Sequence, residues 1–329
     1  MLERIEDRAE LLKYLHTAMQ LEHSTIPPYL TALYSIQEGT NAEAASVMRL
    51  VVVEEMLHLT LVANIINAIG GDVDLTVPGF VPEYPTHLPD GETDFEVEVL
   101  RLCPEAIETF MRIERPGEKG ADRDHVARHR SPRALVPHFR HHAGHDLHFF
   151  SIGEFYAEIE RGLRALEQAL AAKGETLFTG DPARQARPGD YFQDTGPLGT
   201  VTDLESALLA IDFITEQGEG LGDRIYGEFG ELGHYYRLEQ LLLGVAYQPG
   251  DGHGEPTGRP LGVDWGAVHR MRPNARWSDY PVGSAARALA EEFDDEYTSF
   301  LRLLTDAYGG QPKLLDQAFP VMFRLRDLY

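Results

Sequence analysis

Cysteine is almost absent from this chain of 329 residues: Cys103 is the sole example. That excludes an internal disulfide framework and suits a reducing compartment. Basic residues are scarce as well, with 29 Lys and Arg against 53 Asp and Glu for a net charge of −24. The acids are spread along the chain rather than gathered in a tail. Such a field repels phosphate backbones and anionic lipid, so neither nucleic acid nor a membrane is expected as a partner. No apolar run reaches the roughly 18–20 charge-free residues of a membrane span. The opening "MLERIEDRAELLKYL" is charged and amphipathic, which predicts a helix rather than a secretory signal. A glycine-rich phosphate loop is missing, and one cysteine with scattered serines offers no nucleophilic triad. These absences, with 43% hydrophobic residues to build a core, lead to the expectation of a soluble, cytoplasmic, globular protein.

What is present is mostly helical pattern. Residues 7–36 place Leu11, Leu12, Leu15, Ala18 and Met19 on one face, with an interruption expected at "TIPPYL", where Pro27 and Pro28 remove two backbone donors. "TNAE", from Thr40 to Glu43, reads as a capping box that opens a second helix over 41–69, closed by Gly70 and Gly71. Residues 72–100 are rich in proline and aspartate, with "FEVEV" a candidate strand, and a short helix is expected over 104–114. Third and fourth bundle helices are expected over 148–173 and 203–245, the fourth broken at "EQGEGLGD", and two C-terminal helices over 284–328. The expected architecture is one all-α domain, residues 1–329: a four-helix bundle with long loop excursions over 72–147 and 249–283, too long to be idle connections.

Inside the second helix, "VVVEEMLHLTLVANII" sets Glu54, Glu55 and His58 in an otherwise apolar run. An unpaired buried charge costs several kcal/mol, on the order of magnitude, so these groups need a partner or an exposed site. Glu55 and His58 lie three apart on one helical face and can share one ion, a donor pair that suits iron, manganese or zinc. The motif recurs as "ELGH", Glu231 and His234, and two more helices carry Glu22 and Glu154. Glu, Glu-x-x-His, Glu, Glu-x-x-His over four helices matches the ligand pattern of ferritin-like carboxylate bundles that bind two metal ions. Alternatives stay open within it. Glu54 also reaches His58 at a spacing of four, as ligand or outer hydrogen-bond acceptor. Ser151 and Glu154 form an S-x-x-E capping box, so Glu154 is either ligand or cap, with Glu158 in reserve. Glu216 and Glu219 compete with Glu231 for the fourth-helix carboxylate. His138, His141, His142, His145 and His148 crowd an irregular segment that suits a polar pocket wall, a further metal, a haem or a substrate anion. Tyr235 lies beside a proposed ligand, as a pocket or core aromatic.

"QLEHSTIPPYLTALYSI", "VVVEEMLHLTLVANIINAIGG", "SIGEFYAEI", "EQGEG", "HYYR" and the C-terminal "DYPVGSAARALAEEFDDEYTSFLRLL" together resemble the ferritin-like domain of iminophenylpyruvate dimer synthases, enzymes of the violacein and rebeccamycin type. The resemblance implies a ferritin-like bundle in an iron-dependent oxidoreductase of specialised metabolism, with Glu22, Glu55, His58, Glu154 and His234 inside the matching blocks. Those pathway enzymes are much longer than this chain. Two iron ions are the expected cofactors, with manganese or haem as alternatives. Expected partners are dioxygen, a small aromatic substrate derived from an amino acid, and an upstream amino-acid oxidase or other pathway enzyme. A storage or oxidant-scavenging protein without an organic substrate is the alternative function.

Overall fold

The computed structural model describes residues 5–89, 94–116, 149, 151–190, 199–219, 225–227 and 230–328. Helix α1, Arg8–Tyr34, starts where the Asp7 carboxylate accepts the Glu10 amide, the first-turn donor a helix cannot satisfy itself. The interruption expected at Pro27 and Pro28 does not occur, and α1 runs through both as one helix. Pro28 cannot supply the amide that Ser24 would normally bond, and the Tyr84 hydroxyl donates to that carbonyl instead, at 2.7 Å. A side chain from the 72–100 excursion thus repairs the ladder.

Helix α2, Ala42–Ala68, is buried on nearly every face. It has the length and hydropathy of a membrane span, yet 89% of that window is buried inside the protein. Its apolar surface is therefore consumed by packing. The capping box expected at Thr40–Glu43 is not formed. Asn41 is the N-cap, in a left-handed conformation and without a side-chain cap bond. Its amide instead exchanges two hydrogen bonds with the Asp264 backbone, Thr40 donates to Gln37 and Ala267 carbonyls, and Glu43 pairs with Arg259. The 249–283 excursion has taken the capping groups. At the other end Gly70, at φ 73°, turns the chain out of α2 as expected.

Helices α3 (Pro104–Ile113), α4 (Ile152–Ala171), α5 (Leu204–Glu219) and α6 (His234–Leu243) follow. The run expected over 203–245 is two separate helices, α6 beginning at His234 rather than at Glu231. Packing closes a ring: α1 on α2, α2 on α5, α5 on α4 and α4 on α1. The short helices α3 and α6 pair with each other, α3 also touching α1 and α6 touching α2 and α5. Among the described residues "FEVEV" makes no strand; Val97 forms an isolated bridge with Thr86. Helices α7 (Ala285–Tyr308) and α8 (Leu315–Asp327) pack together as a hairpin, anchored where the Tyr308 hydroxyl meets Thr60 at 2.9 Å and its carbonyl accepts from Asn67 at 2.8 Å.

Candidate metal centre

Midway along α1 and α2 the apolar core gives way to a knot of charge. Glu22 from α1, Glu55 and His58 from α2, Glu114 at the C-cap of α3 and His234 at the first position of α6 are all 3% exposed or less. They form two overlapping groups, Glu22–Glu55–His58 and Glu55–Glu114–His234, whose donor atoms lie within 4.8 Å of one another. Glu55 belongs to both. Its Oε1 lies 2.9 Å from His234 Nδ1 and 3.9 Å from His58 Nδ1. Glu22 Oε2 lies 3.3 Å from His58 Nδ1, and Glu114 Oε2 lies 3.5 Å from His234 Nδ1.

Each inner carboxylate has one oxygen held by a hydroxyl and the other turned toward an imidazole. Tyr156 donates to Glu22 Oε1 at 2.6 Å, Tyr29 to Glu114 Oε1 at 2.5 Å, and Thr25 to Glu55 Oε2 at 3.0 Å. The imidazoles are oriented in the same sense. His58 Nε2 bonds the Gln217 carbonyl oxygen and His234 Nε2 bonds Glu54 Oε2, both at 2.9 Å. Those acceptors can hold the ring proton on Nε2, which frees the inward Nδ1 to ligate a metal. His234 Nδ1 is buried without a hydrogen bond despite the two nearby carboxylates. Three carboxylate oxygens and two imidazole nitrogens thus converge in two groups of three that share Glu55, which fits a pair of divalent cations.

The charges perturb one another. Burial, then the neighbouring Glu114 charge, pushes the Glu55 carboxyl up to about 7, against the pull of His234 and His58. Burial would lower His58, but the hydrogen bond to Glu22 and the charges of Glu55 and Glu22 raise it above its ordinary value. His234 is held well above its ordinary value in the same way, burial being overcome by Glu114, Glu54 and Glu55. Glu54 moves oppositely: burial raises it, but His234 and then the Arg237 guanidinium, 3.2 Å away, bring it below the usual carboxylate range. Burial, together with the carboxylates beside them, keeps Tyr29 and Tyr156 protonated far above neutrality.

Of the residues singled out from sequence, the structure brings Glu22, Glu55, His58 and His234 together. It does not bring Glu154 into either group: the Glu154 amide donates to the Ser151 hydroxyl that caps α4, and the residue lies in the first turn of that helix. Glu158 pairs with Arg161 and accepts the Ile5 amide. Glu231 precedes α6 in extended chain, so its spacing from His234 is not helical; both its oxygens are buried without a hydrogen bond, against Gly227. Glu54 touches His234, not His58, because the helix turns it toward α6. Glu216 lies in α5 outside both groups, and Glu219 ends α5 with its side chain beyond the described part. Tyr235 is half-buried and packs edge-to-face on Tyr236. The histidines from 138 to 148 lie outside the described residues.

The residue missed was Glu114. A signal existed: an acid closing an apolar helix sits against the negative end of the helix dipole, where it is disfavoured without another purpose. Gln217, Tyr29, Tyr156 and Arg237 carry no comparable mark in the sequence.

The sequence matches the model of the Ferritin-like family over residues 15–243. The chain belongs to the Ferritin-like family. The match runs from within α1 through α6 and so includes Glu22, Glu55, His58, Glu114 and His234. The chain is 28% identical over 302 residues to dichlorochromopyrrolate synthase of Lentzea aerocolonigenes, covering 82% of this chain and 26% of that protein. It is 25% identical over 278 residues to 2-imino-3-(indol-3-yl)propanoate dimerase of Chromobacterium violaceum, covering 74% of this chain and 24% of the relative. The chain therefore spans about a quarter of the length of the curated relatives it matches. The ferritin-like fold is shared with the crystal structure of a ferritin-like protein from Caulobacter vibrioides, at TM-score 0.59 and 23% identity over 93% of this chain and 89% of that one.

Proposed function

We propose that the centre holds two iron ions and that the protein is an oxidoreductase acting with dioxygen or peroxide on a small aromatic substrate derived from an amino acid. The observation that carries the reading is the inward Nδ1 of both imidazoles around the shared Glu55, each with its Nε2 committed to an outer acceptor. Glu22, Glu55 and His58 would hold one ion, and Glu55, Glu114 and His234 the other. Iron bound there supplies two-electron reduction of the oxidant. The chain's own residues do the rest. Tyr29, Tyr156 and Thr25 keep the carboxylates from rotating, and Gln217 and Glu54 keep the rings in the ligating tautomer. The apolar shell of α1 and α2 keeps bulk water from the centre.

The substrate class comes from the relatives, whose names denote a synthase of dichlorochromopyrrolate and a dimerase of an indole-bearing imino acid. The reaction is oxidation of one substrate rather than coupling of two, because the alignments cover about a quarter of those proteins. An upstream amino-acid oxidase would supply such an imine, and a cytoplasmic setting suits the lone free cysteine. The test is anaerobic reconstitution with ferrous iron, elemental analysis, then oxygen uptake with and without aromatic imino acids, hydrogen peroxide being the second oxidant. About two irons per chain and substrate-accelerated uptake are expected. Iron that is taken up and mineralised, with no organic compound altering the rate, would establish storage instead.

A further inference from the structure

The inner donors of the two positions are matched: two carboxylates and one imidazole Nδ1 each, with Glu55 common to both. Their hydroxyl supports are matched too, Tyr156 on Glu22 at 2.6 Å and Tyr29 on Glu114 at 2.5 Å. The outer partners of the imidazoles are not. His58 donates to Gln217, a neutral amide. His234 donates to Glu54, a carboxylate that Arg237 holds at 3.2 Å. An N–H donated to an ionised acceptor leaves more electron density on the other ring nitrogen, and loss of such an outer partner typically costs about 10–100-fold in metal affinity.

We infer that Glu54 and Gln217 are positioning residues that make the two metal positions unequal, so that the ion at Glu55–Glu114–His234 binds first and the ion at Glu22–Glu55–His58 second. The inference rests on the dinuclear reading above. It has a structural consequence: Glu54, adjacent in sequence to the shared ligand Glu55, reaches across to the ligand of another helix. The chain thereby ties α2 to α6 at the tighter position and α2 to α5, through Gln217, at the looser one.

The experiment is anaerobic titration of the full chain with manganous ion alone, followed by calorimetry and by electron paramagnetic resonance. Two steps separated by about 10–100-fold are expected. The first equivalent should give an isolated-ion signal, and the second an exchange-coupled one. His234→Ala should abolish the tighter step, while His58→Ala should retain it and lose the weaker. The exchange of partners, Glu54→Gln with Gln217→Glu, should reverse which histidine variant loses the tighter step. Gln217→Glu alone, which leaves the Glu54–Arg237 pair intact, should raise the weaker step, so the proposal stays testable if the double variant does not fold. Equal or pairwise filling by the wild type, or a tighter step that survives His234→Ala and disappears in His58→Ala, would overturn the assignment while leaving the dinuclear reading standing. Absence of any manganese or ferrous binding would remove the dinuclear reading itself, and this proposal with it.

Discussion

The two sides of the centre are built differently. On one side α1 and α2 are helices of 27 residues each, and their candidate ligands Glu22, Glu55 and His58 sit deep in the interior of those helices. On the other side α3 and α6 have 10 residues each, and their candidate ligands Glu114 and His234 sit at a C-cap and at a first helical position. An interior ligand is fixed by helical register, three residues being almost one turn, and so is specified locally. A terminal ligand is fixed by where the neighbouring loop delivers the helix end. The long helices act as a rigid half, and the short helices as a half whose geometry depends on docking.

The largest effect that would sharpen this comparison comes from the residue both sides share. Glu55→Ala should take metal content from about two ions toward none, while the helical circular dichroism persists because the apolar faces of α1 and α2 are untouched. Retention of full metal content by a folded Glu55→Ala protein would break the scheme of a shared carboxylate.

The next effect separates the terminal ligand from the one expected from sequence. Glu114→Ala should weaken binding at the His234 position by more than the ~10–100-fold typical of an outer partner. Glu154→Ala should leave both binding steps in place and shift stability by less than about 1 kcal/mol, as befits the first turn of a capped helix. The opposite ranking in a metal titration would return the ligand role to Glu154.

A third comparison is between apoprotein and loaded protein as pH rises. His58 and His234 stand above 6.5 in the folded chain, and Glu55 stands at about 7 against an ordinary 4.5. All three hold protons more tightly folded than unfolded. Their contribution to apoprotein stability is complete at low pH; the Glu55 part is lost between 4.5 and about 7, and the histidine part above 6.5. Glu54, lowered from 4.5, and His23, lowered by burial from 6.5 to about 3, act oppositely, but only below 4.5 and below 6.5 respectively. Denaturant midpoints of the apoprotein should therefore fall from about pH 6.5 to pH 8, and bound metal, which displaces those protons, should flatten or reverse the trend. An apoprotein that gains stability across this interval would contradict the assigned shifts.

The smallest effect tests the rigid half. Tyr84→Phe removes the hydroxyl that bonds the Ser24 carbonyl beside the two prolines of α1, and a buried carbonyl left bare costs about 1–3 kcal/mol. Thermal unfolding should show that loss with metal stoichiometry unchanged. No change in unfolding would mean that α1 tolerates Pro27 and Pro28 without this support.

The amino-acid sequence by itself determined the helical architecture, the buried Glu55-x-x-His58 pair, and the participation of Glu22 and His234 in the same knot of charge. These follow from periodicity and from the cost of placing charge in an apolar run, both local properties of the chain. The tertiary structure decided the rest. "ELGH" has the same letters and spacing as the α2 motif, yet Gly233 is the N-cap of α6, so Glu231 stays in extended chain and the pairing of the motif is lost. "TNAE" has a capping box's letters, yet the 249–283 excursion binds its side chains first. "TIPPYL" has a breaker's letters, yet Tyr84 supplies a donor that the prolines lack. Glu114 reaches the centre because α3 docks on α6 and α1. At "TNAE" and "TIPPYL" the deciding contact is distant in sequence, and a hydrogen bond worth only about 1 kcal/mol is not written into a short motif.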